Sequence, residues 1–174
     1  MKHLTIFAVA ACLFAVPVLA EPADDIADTL VAQANNKSIT ADSLPTDFAH
    51  LANFVRHDAI GQVLYSDGGP ADGHVRHAQA RFDTRPANAV VKTDKQPLFV
   101  VAFELVEEPH FSFIGFAAAL ERRLGTPDRS SNLGGAAFRT WDLKQIPGRT
   151  LTVARTQSSD NGEPVAIVQM IQNR

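Results

Sequence analysis

The chain has 174 residues, of which 45% are hydrophobic and 20% are charged, and its formal net charge is −3. This composition is typical of a globular protein and excludes a disordered chain. The lack of a strong positive charge argues against a nucleic-acid binder or a protein that binds anionic membranes. Outside the N-terminus, no apolar run reaches the roughly 18–20 residues that span a bilayer.

The first twenty residues have the three regions of a secretory signal peptide. Met1–His3 form a short basic start, Leu4–Ala20 are almost entirely apolar, and Glu21 begins an acidic stretch. We therefore expect export to the bacterial periplasm with cleavage after Ala20, although the sequence does not separate the periplasm from full secretion. Two alternatives stay open, namely a retained membrane anchor and a lipoprotein whose lipidated residue is Cys12.

Cleavage would remove the only cysteine and one lysine, leaving 154 residues in which 15 basic and 19 acidic side chains give a net charge of −4. A mature chain without a thiol has no disulfide, no thiolate metal site and no cysteine nucleophile. Its stability must come from a packed core, which a domain of this size is large enough to build.

Two helices are predicted at the start of the mature chain. Pro22 and the acidic residues after it favour a helix N-terminus, and this helix runs to about Asn35. A second helix over 47–57 is predicted because apolar residues from Phe48 to Val55 recur at helical spacing. Residues 21–45 are a candidate for a loosely attached N-terminal segment.

Strands follow in the middle of the chain. They are predicted over 60–66, 74–83, 90–93 and 98–106, with a glycine-rich loop between the first two. The last strand has the clearest pattern, because Phe99, Val101 and Phe103 point to one side and Val100, Ala102 and Glu104 to the other.

The clearest helix covers residues 112–124, whose apolar side chains fall on one face. Gly125 and Pro127 are placed to end it. Strands over 137–143, 150–156 and 165–171 come next, and turn residues between them favour hairpins.

Together the elements predict one α+β domain over residues 21–174 with a sheet rich in antiparallel strands. Its C-terminal half reads β-α-β-β-β. Helix 112–124 should cover one face of the sheet, and the N-terminal helices should pack alongside. No internal repeat can be counted in the sequence.

The strongest candidate for a metal site is a group of carboxylates and imidazoles around the glycine-rich loop, made of Asp67, Asp72, His74 and His77. Such side chains can bind zinc or a similar ion. However, His74 and His77 are an odd number of residues apart, so they point to opposite faces of a strand. The group is more typical of a polar hairpin tip, so the metal site is the alternative interpretation and no cofactor is expected.

Two further sets of residues give weak catalytic signals. His57 and Asp58 could be the base and orienting acid of a hydrolytic triad, but the chain has no Gly-x-Ser-x-Gly nucleophile motif. Glu104, Glu107 and Glu108 could supply paired carboxylates, as any acidic surface could.

The sequence favours a binding protein without catalytic activity whose partner is another envelope or secreted protein. An inhibitor or immunity protein against an envelope-acting hydrolase is its most concrete form. The candidate binding residues are Asp67, Asp72, His74, Arg129 and Trp141. Most of them lie in or beside the ranges 66–74 and 128–136, which are expected to be recognition loops.

Trp141 has two interpretations, an interface anchor or a core residue beneath a helix. The whole chain also keeps two alternative functions. It could be a metal-assisted hydrolase that uses Asp72, His74 and His77, or a structural accessory protein of the cell envelope.

Overall fold

The computed structural model describes residues 22–70, 73–86, 97–108, 111–133, 136–158 and 161–173. The predicted signal peptide and the predicted strand over 90–93 lie outside these residues. The helices among these residues are α1 (Pro22–Ala34), α2 (Leu44–Asp47) and α3 (Phe113–Leu124). The strands are β1 (Ala52–Ala59), β2 (Gln62–Pro70), β3 (Val75–Asp83), β4 (Phe99–Val106), β5 (Arg129–Leu133), β6 (Ala136–Asp142), β7 (Arg149–Gln157) and β8 (Pro164–Gln172).

All eight strands form one sheet in the order β1-β2-β3-β4-β8-β7-β6-β5, and every neighbouring pair is antiparallel. The coarse prediction of an α+β chain with a mostly antiparallel sheet is therefore confirmed.

The strand order divides the sheet into two halves with the same connectivity. In the first half α1 precedes β1–β4, and in the second half α3 precedes β5–β8. Because β4 pairs with β8, the last strands of the two halves meet at the centre, and β1 and β5 form the two outer edges. The fold thus contains a repeated arrangement that residue counting in the sequence does not reveal.

One face of the sheet, called the packed face below, lies against the helices. Phe99, Val101 and Phe103 from β4 and Leu151 and Val153 from β7 are almost fully buried. They share one hydrophobic cluster with buried residues of α1 and α3. Alternation along each strand places large apolar side chains on this face.

The helix α3 covers Phe113–Leu124, close to the predicted range 112–124. The Ser112 side chain accepts a hydrogen bond from the Gly115 N–H at 3.1 Å, which satisfies a free donor of the first turn. Gly125 has a φ of 83° and a ψ of −173°, a conformation that is open almost only to glycine, and its N–H donates to Glu121 O.

The helix α1 packs against α3. Ile26 and Leu30 are 2% and 1% exposed, and Arg123 of α3 donates to the Asp24 and Asp28 carboxylates. No helix among the described residues is long and apolar enough to cross a membrane.

The predicted helix over 47–57 is wrong. The chain forms the short helix α2 at Leu44–Asp47 and then the edge strand β1 at Ala52–Ala59. Phe48 and Leu51 are buried, but they lie in the connection between these elements. Most of β1 is exposed, so its residues lack the alternation that marks a strand, and pairing with β2 determines its conformation.

The strand β5 is a polar edge strand in a range where a loop was expected, so that expectation is wrong. Its sequence, Arg-Ser-Ser-Asn-Leu, has no apolar alternation, and its backbone is held by pairing with β6. The C-terminal half is therefore β-α-β-β-β-β. For the same reason, the expected recognition loops 66–74 and 128–136 are in large part strands β2 and β5.

Candidate functional site: the open face of the sheet

The second face of the sheet, called the open face below, carries none of the described helices. Its side chains form three rows that run across neighbouring strands. The first row is His57, Leu64, Arg81, Val100, Ile171, Thr150 and Asp142. The second is Gln79, Ala102, Gln169, Thr152 and Thr140, and the third is His77, Glu104, Ile167, Ala154 and Phe138.

The centre of the open face carries no charge. On β7 and β8 the three rows contribute only threonine, isoleucine, alanine and glutamine, and these side chains are half-buried. Phe138 on β6 is 39% exposed, an unusual fraction for a phenylalanine. Thr140 and Thr152 are joined by a hydrogen bond of 3.0 Å between their hydroxyls.

A cavity of about 550 Å³, called the Arg81 cavity below, opens on this face over strands β1, β2, β3, β4 and β8. Its polar groups come from one guanidinium, one imidazole, two amides and the Ser66 hydroxyl, and its floor is aliphatic. The lining residues are His57, Leu64, Tyr65, Ser66, Gln79, Ala80, Arg81, Val100 and Gln169.

A second cavity of about 400 Å³ adjoins the first and shares Tyr65, Ser66 and Gln79 with it. Its character is different, because Asp67 and Glu104 are among its lining residues. Glu104 Oε1 is buried, makes no hydrogen bond within the described part of the chain and lies 3.6 Å from Arg76 Nη1.

Arg76 also donates to Glu163, at 2.6 Å from Nη2 to Oε2. This hydrogen bond, together with one from Asn161, lowers the pKa of the Glu163 carboxyl. The acidic end of the open face is therefore partly neutralised by Arg76.

His57 on β1 and Ser66 on β2 are diagonal neighbours at the rim of the Arg81 cavity, with 2.8 Å between His57 Nε2 and Ser66 Oγ. Asp58 does not orient this imidazole, because its carboxylate accepts a hydrogen bond from Arg56 Nε at 2.9 Å. The pair thus lacks the acid that the triad interpretation of His57 and Asp58 requires.

The residues of the predicted metal group are spread over two environments. His74 stacks on Phe111 with 5.2 Å between ring centroids, and its Nδ1 is 3.9 Å from Glu108 Oε2. His77 lies on the open face with its Nδ1 3.6 Å from Asp67 Oδ2. Asp72 lies outside the described residues. Among those that are described, no three carboxylate, imidazole or thiol side chains come together as a metal site.

The other predicted binding residues have structural partners. Asp67 Oδ1 accepts a hydrogen bond from the Gly69 N–H at 2.7 Å. Arg129, on the edge strand β5, forms an ion pair with Asp142 at 2.8 Å and is largely exposed. Trp141 is 2% exposed and its indole N–H donates to Gly125 O at 2.8 Å, so it is part of the core beneath α3.

Sequence reasoning did not single out Arg81, Gln79 or Gln169. A signal was present, since His77, Gln79 and Arg81 alternate with apolar residues and must share one face of β3. The alternation does not reveal which strands lie beside β3, and the cavity depends on those neighbours.

Comparison of the chain with protein-family models, with curated proteins and with solved structures gave no match.

Proposed function

We propose that this chain is an exported protein-recognition module without catalytic activity, and that it binds a partner protein of the cell envelope through the open face. An inhibitor or immunity protein that covers the surface of an envelope-acting hydrolase is the form that we favour. The N-terminal signal-peptide pattern supports export, with Glu21 as the first residue of the mature chain.

The observation that carries the proposal is the size and composition of the open face. The three rows hold seven, five and five side chains, which lie about 4.8 Å apart across the strands and about 6.8 Å apart along each strand. The resulting area of about 550 Å² is about two thirds of the roughly 800 Å² that each partner contributes to a standard protein interface.

The distribution of charge on the open face also supports docking. The centres of protein interfaces are depleted in charged residues, and aromatic residues are enriched there. The uncharged side chains of β7 and β8 lie between polar margins at Arg81 and Asp142, and Phe138 offers an exposed ring.

A pair of matched substitutions tests the proposal. Ala154→Arg places a long charged side chain at the centre of the open face, and Ala118→Arg makes the same change on an exposed position of α3. Full chains with a C-terminal tag are exported, cross-linked in intact cells and purified. The proposal predicts one major envelope protein captured by wild type and Ala118→Arg, and its capture reduced about tenfold or more by Ala154→Arg.

Equal capture by the two variants would contradict docking on the open face. If the captured protein is a hydrolase, its activity is measured with added wild type and with each variant. Inhibition by wild type and Ala118→Arg, without inhibition by Ala154→Arg, is the result that the inhibitor form predicts.

A further inference from the structure

We infer that the Arg81 cavity is a binding site for a small organic monocarboxylate with an apolar chain, and that Arg81 binds the carboxylate. This site is additional to the proposed docking, because it requires no partner protein.

Arg81 differs from almost all the other described arginines because it has no bound partner. Its guanidinium makes no hydrogen bond or ion pair with any residue of the described chain, and only Arg139 shares this property. The acid two residues along β3, Asp83, is bound by Arg85 at 2.6 Å. A half-buried guanidinium without a counter-charge favours an anion from outside the chain.

The surroundings of Arg81 favour a carboxylate in particular. None of the residues that line the cavity is acidic, and Gln79, Gln169 and Ser66 add hydrogen-bond donors. A guanidinium binds a carboxylate through two parallel hydrogen bonds. In the neighbouring cavity, Asp67 and Glu104 would repel an anion, so the carboxylate is expected at the Arg81 end.

The remaining part of the ligand should be apolar. Leu64 and Val100 are the cross-strand neighbours of Arg81 and form an aliphatic floor beside the guanidinium. The cavity volume of about 550 Å³ lies within the range of about 300–1,000 Å³ that is usual for small-molecule sites. An apolar chain buried on this floor would add affinity that an inorganic anion lacks.

Octanoate and its uncharged analogue octanamide are suitable probes. Each is titrated into isotope-labelled protein, and binding is followed by the shifts of backbone amide signals. Octanoate should shift signals of β2, β3, β4 and β8 around the cavity. Octanamide should bind at least about tenfold more weakly, since it lacks the charge that the guanidinium recognises.

Three variants test whether Arg81 binds the carboxylate of octanoate. Arg81→Gln should weaken octanoate binding about tenfold or more, and Arg81→Lys should weaken it less because it keeps the charge without the planar fork. Arg139→Gln removes the other described arginine that makes no hydrogen bond or ion pair with the described chain. Arg139 lies outside both cavities, so this change should leave octanoate binding unchanged. The dispersion of the amide signals shows in each case that the variant is folded.

Three results would overturn the inference. They are equal binding of octanoate and octanamide, unchanged octanoate binding in Arg81→Gln, and the absence of any shift with wild type. None of them bears on the docking proposal, because the titration contains no partner protein and Ala154 lies outside the cavity.

Discussion

Arg149 connects the sheet to the first helix through a single buried guanidinium. It is 3% exposed, donates to Ala34 O at 3.1 Å and to Gln172 Oε1 at 3.0 Å, and lies over the Phe99 ring. The last turn of α1 has no basic residue of its own, so Arg149 supplies the positive charge that favours a helix C-terminus. Burial lowers the pKa of Arg149.

Replacement of Arg149 by Met should therefore be costly, because the carbonyls of α1 and the Gln172 amide lose their donor in a buried place. We expect the free energy of unfolding to fall by about 2–3 kcal/mol, measured by urea denaturation. Arg129→Met is the control, since that side chain forms an exposed ion pair and its loss should cost less than about 1 kcal/mol. Similar losses for both variants would contradict a capping role for Arg149.

The ion pairs of Asp24 with Arg122 and Arg123 join α1 to α3 and make the stability of the fold depend on pH. Hydrogen bonds from Arg123 and Arg122 lower the pKa of its carboxyl. As the pH falls, the unfolded chain takes up this proton first, near the ordinary aspartate pKa of about 4. The stabilisation is therefore complete above about pH 4 and is lost as the pH falls through the lower pKa of the folded state.

Asp24→Asn should be less stable than wild type near neutral pH, and its stability should change less between neutral pH and about pH 3. Urea denaturation at the two pH values measures both effects. Asp25→Asn makes the same change one residue along, where the carboxylate takes part in no ion pair of the described chain, and should keep the wild-type pH dependence. An identical pH dependence in wild type and Asp24→Asn would contradict the assignment.

At the scale of single elements, α3 shows why some parts could be predicted. Its apolar face and the Gly125 that ends it are both local signals in the sequence. The strands β1 and β5 lack such signals, because an edge strand with mainly exposed residues is determined by its neighbour. The predicted helix over 47–57 is wrong for this reason. Its first apolar residues belong to a buried connection and its later ones to the exposed strand β1, so their helical spacing does not reflect one element.

The end of α3 offers a direct test of the local signals. Gly125→Ala should lower the free energy of unfolding by about 1–3 kcal/mol, because alanine is strained in the conformation that Gly125 adopts. Gly73→Ala is the control, since Gly73 does not have a positive φ and an added Cβ there would meet nothing within 4 Å. Its stability should stay within about 0.5 kcal/mol of wild type. The midpoint of thermal unfolding is measured for wild type and for both variants. Equal midpoints for Gly125→Ala and Gly73→Ala would contradict a conformational requirement for glycine at position 125.

At the scale of the whole molecule, the repeated arrangement explains how so short a chain builds a wide surface. Two units of one long helix and four strands place both of these helices on the packed face and leave the open face free. The alternation in β4 predicts that Val100, Ala102 and Glu104 share a face. The pairing of β4 with β8, which creates the open face and both cavities, joins residues about 60 or more positions apart and has no local signal.

The same long-range pairing explains why the sequence did not identify most residues of the candidate site. The polar residues near the β2–β3 connection could be grouped from the sequence because they are close together in the chain. The residues beside them in the sheet, such as Glu104 opposite His77, lie farther along the chain and could not be assigned to them. His74 contacts Phe111, and Trp141 is buried beneath α3, so neither lies on the open face. In the sequence, Arg81 has no feature that distinguishes it from other polar strand residues. Its site is defined by Leu64 and Val100, which the pairing of β3 with β2 and β4 places on either side of it.

The claim that a partner protein binds the open face is tested most directly by site-specific photo-cross-linking in intact cells. A photoreactive amino acid is placed at Thr152, at the centre of the open face, and separately at Ala118 on the exposed side of α3. The account predicts a defined cross-linked product from position 152 and none from position 118. A product from position 118 alone, or no product from either position, would contradict it.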